Sequence, residues 1–145
     1  MCITIEKPRP KLAEHEISAN ELSSLVQNTF PTAKLELWDH KFWYVSLVDW
    51  GTIIRDVVIN LPKYTVDKFD CENFGKQISC RVDARYLLNT CAIAIGDSPM
   101  GRHGYNVFVA RVDDAPKLYI LEPQTADIYA PEDESGYIPD TILMG

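Results

Sequence analysis

The chain has 145 residues, enough for one domain that buries a core without disulfide or metal staples. Hydrophobic residues make up 46% of it, which excludes disorder over most of its length. A net charge of −7, with no lysine- or arginine-rich run to offset it, argues against a nucleic-acid partner, and no apolar run approaches the ~18 residues of a membrane span. The first residues lack the basic and apolar regions of a signal peptide, so the expected compartment is the cytoplasm. Cys2, Cys71, Cys80 and Cys91 then read as free thiols. Their spacing, with no C-x-x-C, lacks the pairs of a structural zinc module.

Residues 1–16 are charged and carry Pro8 and Pro10; they read as an N-terminal arm, with a short strand at Ile3 to Ile5. Residues 17–145 form a single domain. Ser18 and Glu21 have the spacing of a capping box, and Leu22, Leu25 and Val26 supply one apolar face, predicting a helix over 19–29 before Pro31. Leu35 and Leu37 alternate with charges as in a strand. The stretch Trp38 to Val45 is aromatic-rich and reads equally as strand or loop. Ser46 opens a second helix with Trp50, Ile53, Ile54, Val57, Val58 and Leu61 on one face, ending at Pro62.

A third helix is predicted over 71–88, with Cys71, Phe74, Gly75, Ile78, Val82 and Tyr86 as its inward row. Gly75 weakens that helix, which points to a close approach by another backbone. Strands are predicted at 91–95, 105–112, 117–121 and 127–129, with 96–102 as a loop and residues 113–116 as a tight hairpin connection. The tail from Tyr137 returns to the core. Helices first and a strand meander after them predict an α+β fold, the cysteine helix packing on an antiparallel sheet.

Cys71 sits where a loop becomes a helix, with Asp70 as N-cap. Free amides and the helix dipole favour a thiolate at that position, although flanking acids oppose it unless a cation is bound. Cys80 and Cys91 read as small core residues. His103 lies between Gly101 and Gly104, on the strand face it shares with Tyr105, Val107 and Val109, the face expected to meet the cysteine helix. Glu122 closes an apolar strand and is a candidate to orient the imidazole. Gln124 and Asn106 are rivals for that role, and Gln124 also for oxyanion donor. The bland readings are a core cysteine, a turn histidine and strand-end capping groups. Trp38, Phe42, Trp43 and Tyr44 line a groove or belong to the core.

Asp70-Cys71-Glu72-Asn73-Phe74, the run Pro99 to Asn106 and Glu122-Pro123-Gln124-Thr125 together resemble small phage and prophage-type proteins of the papain- or transglutaminase-like cysteine hydrolases. They are also similar to the C-terminal agglutinin domain of a fungal chimerolectin, a calcium-dependent papain-like protease. The resemblance spans about residues 35–143, judged by motif order. It implies a papain-like α+β fold in which Cys71 is the nucleophile, His103 the general base and acid, and Glu122 the orienter. The implied reaction is peptidase- or amidase-type acyl transfer on a peptide or protein substrate, in a phage-encoded protein of the host cytoplasm. It further implies calcium beside the cysteine, with Asp70 and Glu72 as candidate ligands; two carboxylates are far short of a full set. The lectin half is absent, so sugar binding is not implied. The alternative is a non-catalytic phage accessory, virion or binding protein that keeps the fold.

Overall fold

The computed structural model describes residues 10–145, so the strand expected at Ile3 to Ile5 lies outside the described residues. Eight strands and three helices follow in the order β1 (His15–Ser18), α1 (Ala19–Thr29), β2 (Lys34–Leu37), β3 (Lys41–Ser46), α2 (Leu47–Val57), α3 (Cys71–Tyr86), β4 (Cys91–Ser98), β5 (Gly101–Val112), β6 (Ala115–Glu122), β7 (Asp127–Tyr129) and β8 (Ile138–Met144). The capping box forms: the Ser18 N–H donates to Glu21 Oε2 at 3.0 Å, and the Glu21 N–H donates to Ser18 Oγ at 3.3 Å. α2 stops at Val57, four residues before the last apolar residue of its predicted face.

One mixed sheet carries the chain, in the order β1-β3-β5-β4-β8-β2, with β6 on the other edge of β5 and β7 beyond it. β4 leaves β5 after Phe108, and β3 takes over that edge in parallel, pairing Val45 with Ala110. β2 pairs in parallel with β8. The predicted loop 96–102 is instead strand almost throughout: β4 and β5 run on to Ser98 and Gly101. Gly96 is where β8 crowds β4, since a Cβ there would stand 2.2 Å from the Ile138 carbonyl oxygen at a register shift. Asp113 and Asp114, at φ of 52° and 61°, make the two-residue connection between β5 and β6.

Two cores lie on opposite faces of the sheet. α1 covers one through Leu22 and Val26, against Tyr105, Val107, Val109 and Ile142. α2 and α3 cover the other through Trp50, Ile54, Ile78 and Val82, against Phe108 and Ala110. Trp50 ties α2 to β5 by donating its indole N–H to the Val109 carbonyl at 2.7 Å. Phe42 and Tyr44 are core, whereas Trp38 and Trp43 are exposed.

This arrangement corrects the expected papain-like α+β fold of N-terminal helices on an antiparallel sheet. The sheet dominates, it is mixed, and three of its strands precede α2. The error has a physical origin. β1 is a four-residue strand at one end of the sheet path, and so short an edge strand shows too few alternations to stand out in sequence. His15 and Glu16, assigned to the arm, belong to β1. No helix among the described residues is long and apolar enough to cross a membrane.

Candidate functional site

The start of α3 is built by its own loop. Asp70 is the N-cap, and the Asn73 side chain accepts its N–H at 3.2 Å. The Asp70 carboxylate serves the preceding turn, accepting from the Asp67 N–H at 3.2 Å, while its Oδ1 is buried without a partner. Cys71 is partly exposed, and its thiol donates to Glu72 Oε2 at 3.6 Å. The helix lies directly on β5: a Cβ at Gly104 would stand 2.9 Å from Glu72 Cα, and one at Gly75 3.4 Å from the Tyr105 carbonyl oxygen. That is the close backbone approach expected at Gly75.

Asn106 locks the contact. It is fully buried and donates to the carbonyls of Gly75 and Ala92, both at 2.9 Å. Its amide therefore joins α3 to β4 and does not orient His103.

His103 is on the other face of β5. It is 6% exposed, stacks on Tyr105 with centroids 6.2 Å apart, and meets Tyr137 at 6.5 Å. Its Nε2 is 2.8 Å from Glu122 Oε2, and the Tyr137 hydroxyl donates to the same oxygen at 2.9 Å. The second oxygen, Oε1, accepts the Gln124 N–H at 3.0 Å. Burial, and after it the hydrogen bond to Glu122, push the Tyr137 hydroxyl well up, so it remains a donor. Sequence reasoning identified His103 and Glu122 but missed Tyr137, whose placement depends on the return of the tail.

α3 packs on the Gly104, Asn106 and Phe108 side of β5, whereas the imidazole points to the Tyr105 side, against expectation. Among the described residues no hydrogen bond joins Cys71 to His103; each has its own carboxylate, Glu72 and Glu122. Cys80, expected in the core, is exposed, and Cys91 is buried. Among the described residues no three carboxylate, imidazole or thiol side chains gather as a metal centre, so Asp70 and Glu72 remain two carboxylates without a third.

A cavity of about 300 Å³ opens on the α3 side between the 58–62 segment and the 123–126 turn. Asn60, Leu61, Phe74, Pro123, Gln124 and Thr125 are among its lining. Phe74 stands one turn after Cys71 and meets Phe69 edge-on at 4.8 Å. Asn60 and Ala126 both take left-handed backbone angles, φ 58° and 64°. The lining carries no charged side chain.

No family model and no curated protein matches the chain. Solved structures do. One, described as "PSL1a-E64 complex", superposes with a TM-score of 0.69 at 18% identity, over 88% of this chain and 51% of that one. A second is Polyporus squamosus lectin bound to a human-type influenza-binding epitope, Neu5Acα2-6Galβ1-4GlcNAc, with a TM-score of 0.67 at 18% identity, over 90% of this chain and 49% of that one. The chain spans about half the length of these structures, and identity this low establishes likeness of fold. The comparison corrects the expectation of a papain-like thiol protease acting on a peptide or protein substrate: the matched structures are those of a lectin, one of them bound to a carbohydrate.

Proposed function

We propose that this protein is a binding module that takes an uncharged saccharide unit in the cavity between residues 58–62 and 123–126. The observation that carries the reading is the cavity's chemistry. Its polar groups are side-chain amides and a hydroxyl, at Asn60, Gln124 and Thr125, and its apolar surface comes from Leu61, Phe74 and Pro123. Amides offer donors and acceptors to ligand hydroxyls, while an aromatic ring and proline suit the C–H face of a sugar. A charged ligand would enter without a counter-charge, at a desolvation cost. The volume lies at the small end of ligand pockets, which fits one ring and not an extended chain.

The uncharged Gal and GlcNAc units of the carbohydrate in the matched lectin structure support this class of ligand. Free thiols at Cys71, Cys80 and Cys91 support a reducing, cytoplasmic compartment.

The test is a titration of the ¹⁵N-labelled protein with Neu5Acα2-6Galβ1-4GlcNAc and with GlcNAc, with and without calcium. The expected result is shifts at Asn60, Phe74, Gln124 and Thr125, and an affinity at least 5-fold weaker in Gln124→Ala. No shifts with either sugar, or shifts centred elsewhere, would overturn the reading. So would iodoacetamide alkylation of Cys71 that outpaces exposed Cys80 and depends on His103.

A further inference from the structure

α3 reaches the cavity at two points. Phe74 is part of the lining, and Arg81, about two turns further along the helix, extends to the wall made by residues 58–62. Arg81 Nη1 donates to the Val57 carbonyl at 2.7 Å and to the Ile59 carbonyl at 2.6 Å. That nitrogen carries two N–H groups, one for each oxygen. Val57 is the last residue of α2, where carbonyls lack intrahelical partners and the helix dipole favours a cation.

Packing alone does not pin this wall. Ile59 is 55% exposed, Asn60 is exposed, and Val58 and Leu61 are only partly buried against the core under α2 and α3. Asn60 nevertheless takes a left-handed φ of 58°, a conformation uncommon outside glycine. The Ile59 carbonyl and the Asn60 N–H belong to one planar peptide unit, so a bond to that oxygen fixes the plane from which Asn60 departs. The facing wall is held by its own sequence neighbour: Glu122 accepts the Gln124 N–H at 3.0 Å on Oε1 and the Ala126 N–H at 2.8 Å on its backbone carbonyl.

We infer that Arg81 is a positioning residue of the cavity: its guanidinium holds the 58–62 wall at a fixed distance from Phe74 and the 123–126 turn, and so presents the Asn60 amide to the saccharide. Without that side chain two carbonyls have only water as partner, and the peptide planes around Ile59 lose their anchor on α3. Arg85, one turn on, has a different task. It pairs with Asp56 inside α2, whose carboxylate also accepts the Tyr86 hydroxyl at 2.5 Å, so it ties helix to helix and does not touch the wall.

This inference rests on the cavity being the saccharide site, but one of its readouts needs no ligand, so the two can fail separately. In Arg81→Ala, backbone ¹⁵N relaxation should show order parameters at Ile59 and Asn60 falling from the rigid range of about 0.85 to below about 0.6, with Gln124 and Ala126 unmoved. Affinity for GlcNAc or Neu5Acα2-6Galβ1-4GlcNAc, measured by titration, should fall at least 5-fold. Arg85→Ala is the control for a merely structural role: it should lower Tm and leave both the order at Ile59 and Asn60 and the affinity as in the parent. Should Arg81→Ala not fold, Arg81→Met keeps the apolar stem and carries the same expectations. Unchanged order at Ile59 and Asn60 without Arg81, unchanged affinity in a parent that binds, or equal loosening by Arg85→Ala would overturn the inference. Failure of both sugars to bind the parent would overturn the saccharide reading instead, and the relaxation result would still decide whether Arg81 holds the wall.

Discussion

The start of α3 and the end of the sheet each bring a carboxylate to a residue able to do acid–base or nucleophilic chemistry, and they are built in opposite ways. Cys71 sits on a partly exposed helix tip, bonded to the side chain of its own neighbour at 3.6 Å. His103 is enclosed, and its carboxylate partner arrives from a different strand at 2.8 Å, shared with Tyr137. A local contact at a surface competes with water and contributes little. A buried pair assembled from distant segments contributes only when its hydrogen bonds are made, and is costly once broken. The comparison teaches that the enclosed cluster organises the structure, whereas the thiol is peripheral to it.

The strongest way to break that contrast is Glu122→Ala. It leaves His103 and Tyr137 without their acceptor and should cost about 3–5 kcal/mol in urea unfolding. A loss under 1 kcal/mol would mean that the cluster is not structural. Gly104→Ala tests what joins the two regions. Its Cβ would stand 2.9 Å from Glu72 Cα and 3.0 Å from Glu72 N, so backbone must shift, at an expected cost of about 1–3 kcal/mol by thermal or urea denaturation.

Asp83, near the other end of α3, sharpens the comparison through pH. Burial, and then the charge of Asp39, raise its carboxyl to about 6. The folded state therefore holds that proton more tightly than the unfolded chain. Its contribution is fully present below about pH 4 and is lost as pH rises through about 6. Asp83→Asn should raise Tm at pH 7.5, by roughly 1–3 °C after allowance for a half-exposed group, and change nothing at pH 4. A gain at pH 4 as large as that at pH 7.5 would refute the assignment. The smallest effect belongs to Cys71→Ala, expected within about 0.5 kcal/mol of the parent because the thiol is partly exposed and only locally bonded. A loss above 2 kcal/mol would show that the helix tip is not peripheral.

Much of the secondary structure was legible in the chain itself. Ser18 and Glu21 set the start of α1, the apolar row from Phe74 to Tyr86 identified the inner face of α3, and the two aspartates at 113 and 114 marked a hairpin. These are signals confined to a few neighbouring residues. His103 and Glu122 were also visible as unusual polar residues on apolar strands, and they do meet.

The sequence by itself determined the caps, the helix faces and the hairpin, because each depends on contacts within about one or two turns of chain. Tertiary structure alone decided the rest. Whether β2 and β3 pair in parallel, which side of β5 receives α3, and where Tyr137 returns all depend on partners dozens of residues away. The face of β5 was the decisive case. Alternation assigns His103, Tyr105 and Val107 to one side of a strand, but it does not say which side a helix will cover. Gly104 and Gly75 settle that, since only where both lack a Cβ can α3 lie flat on the strand.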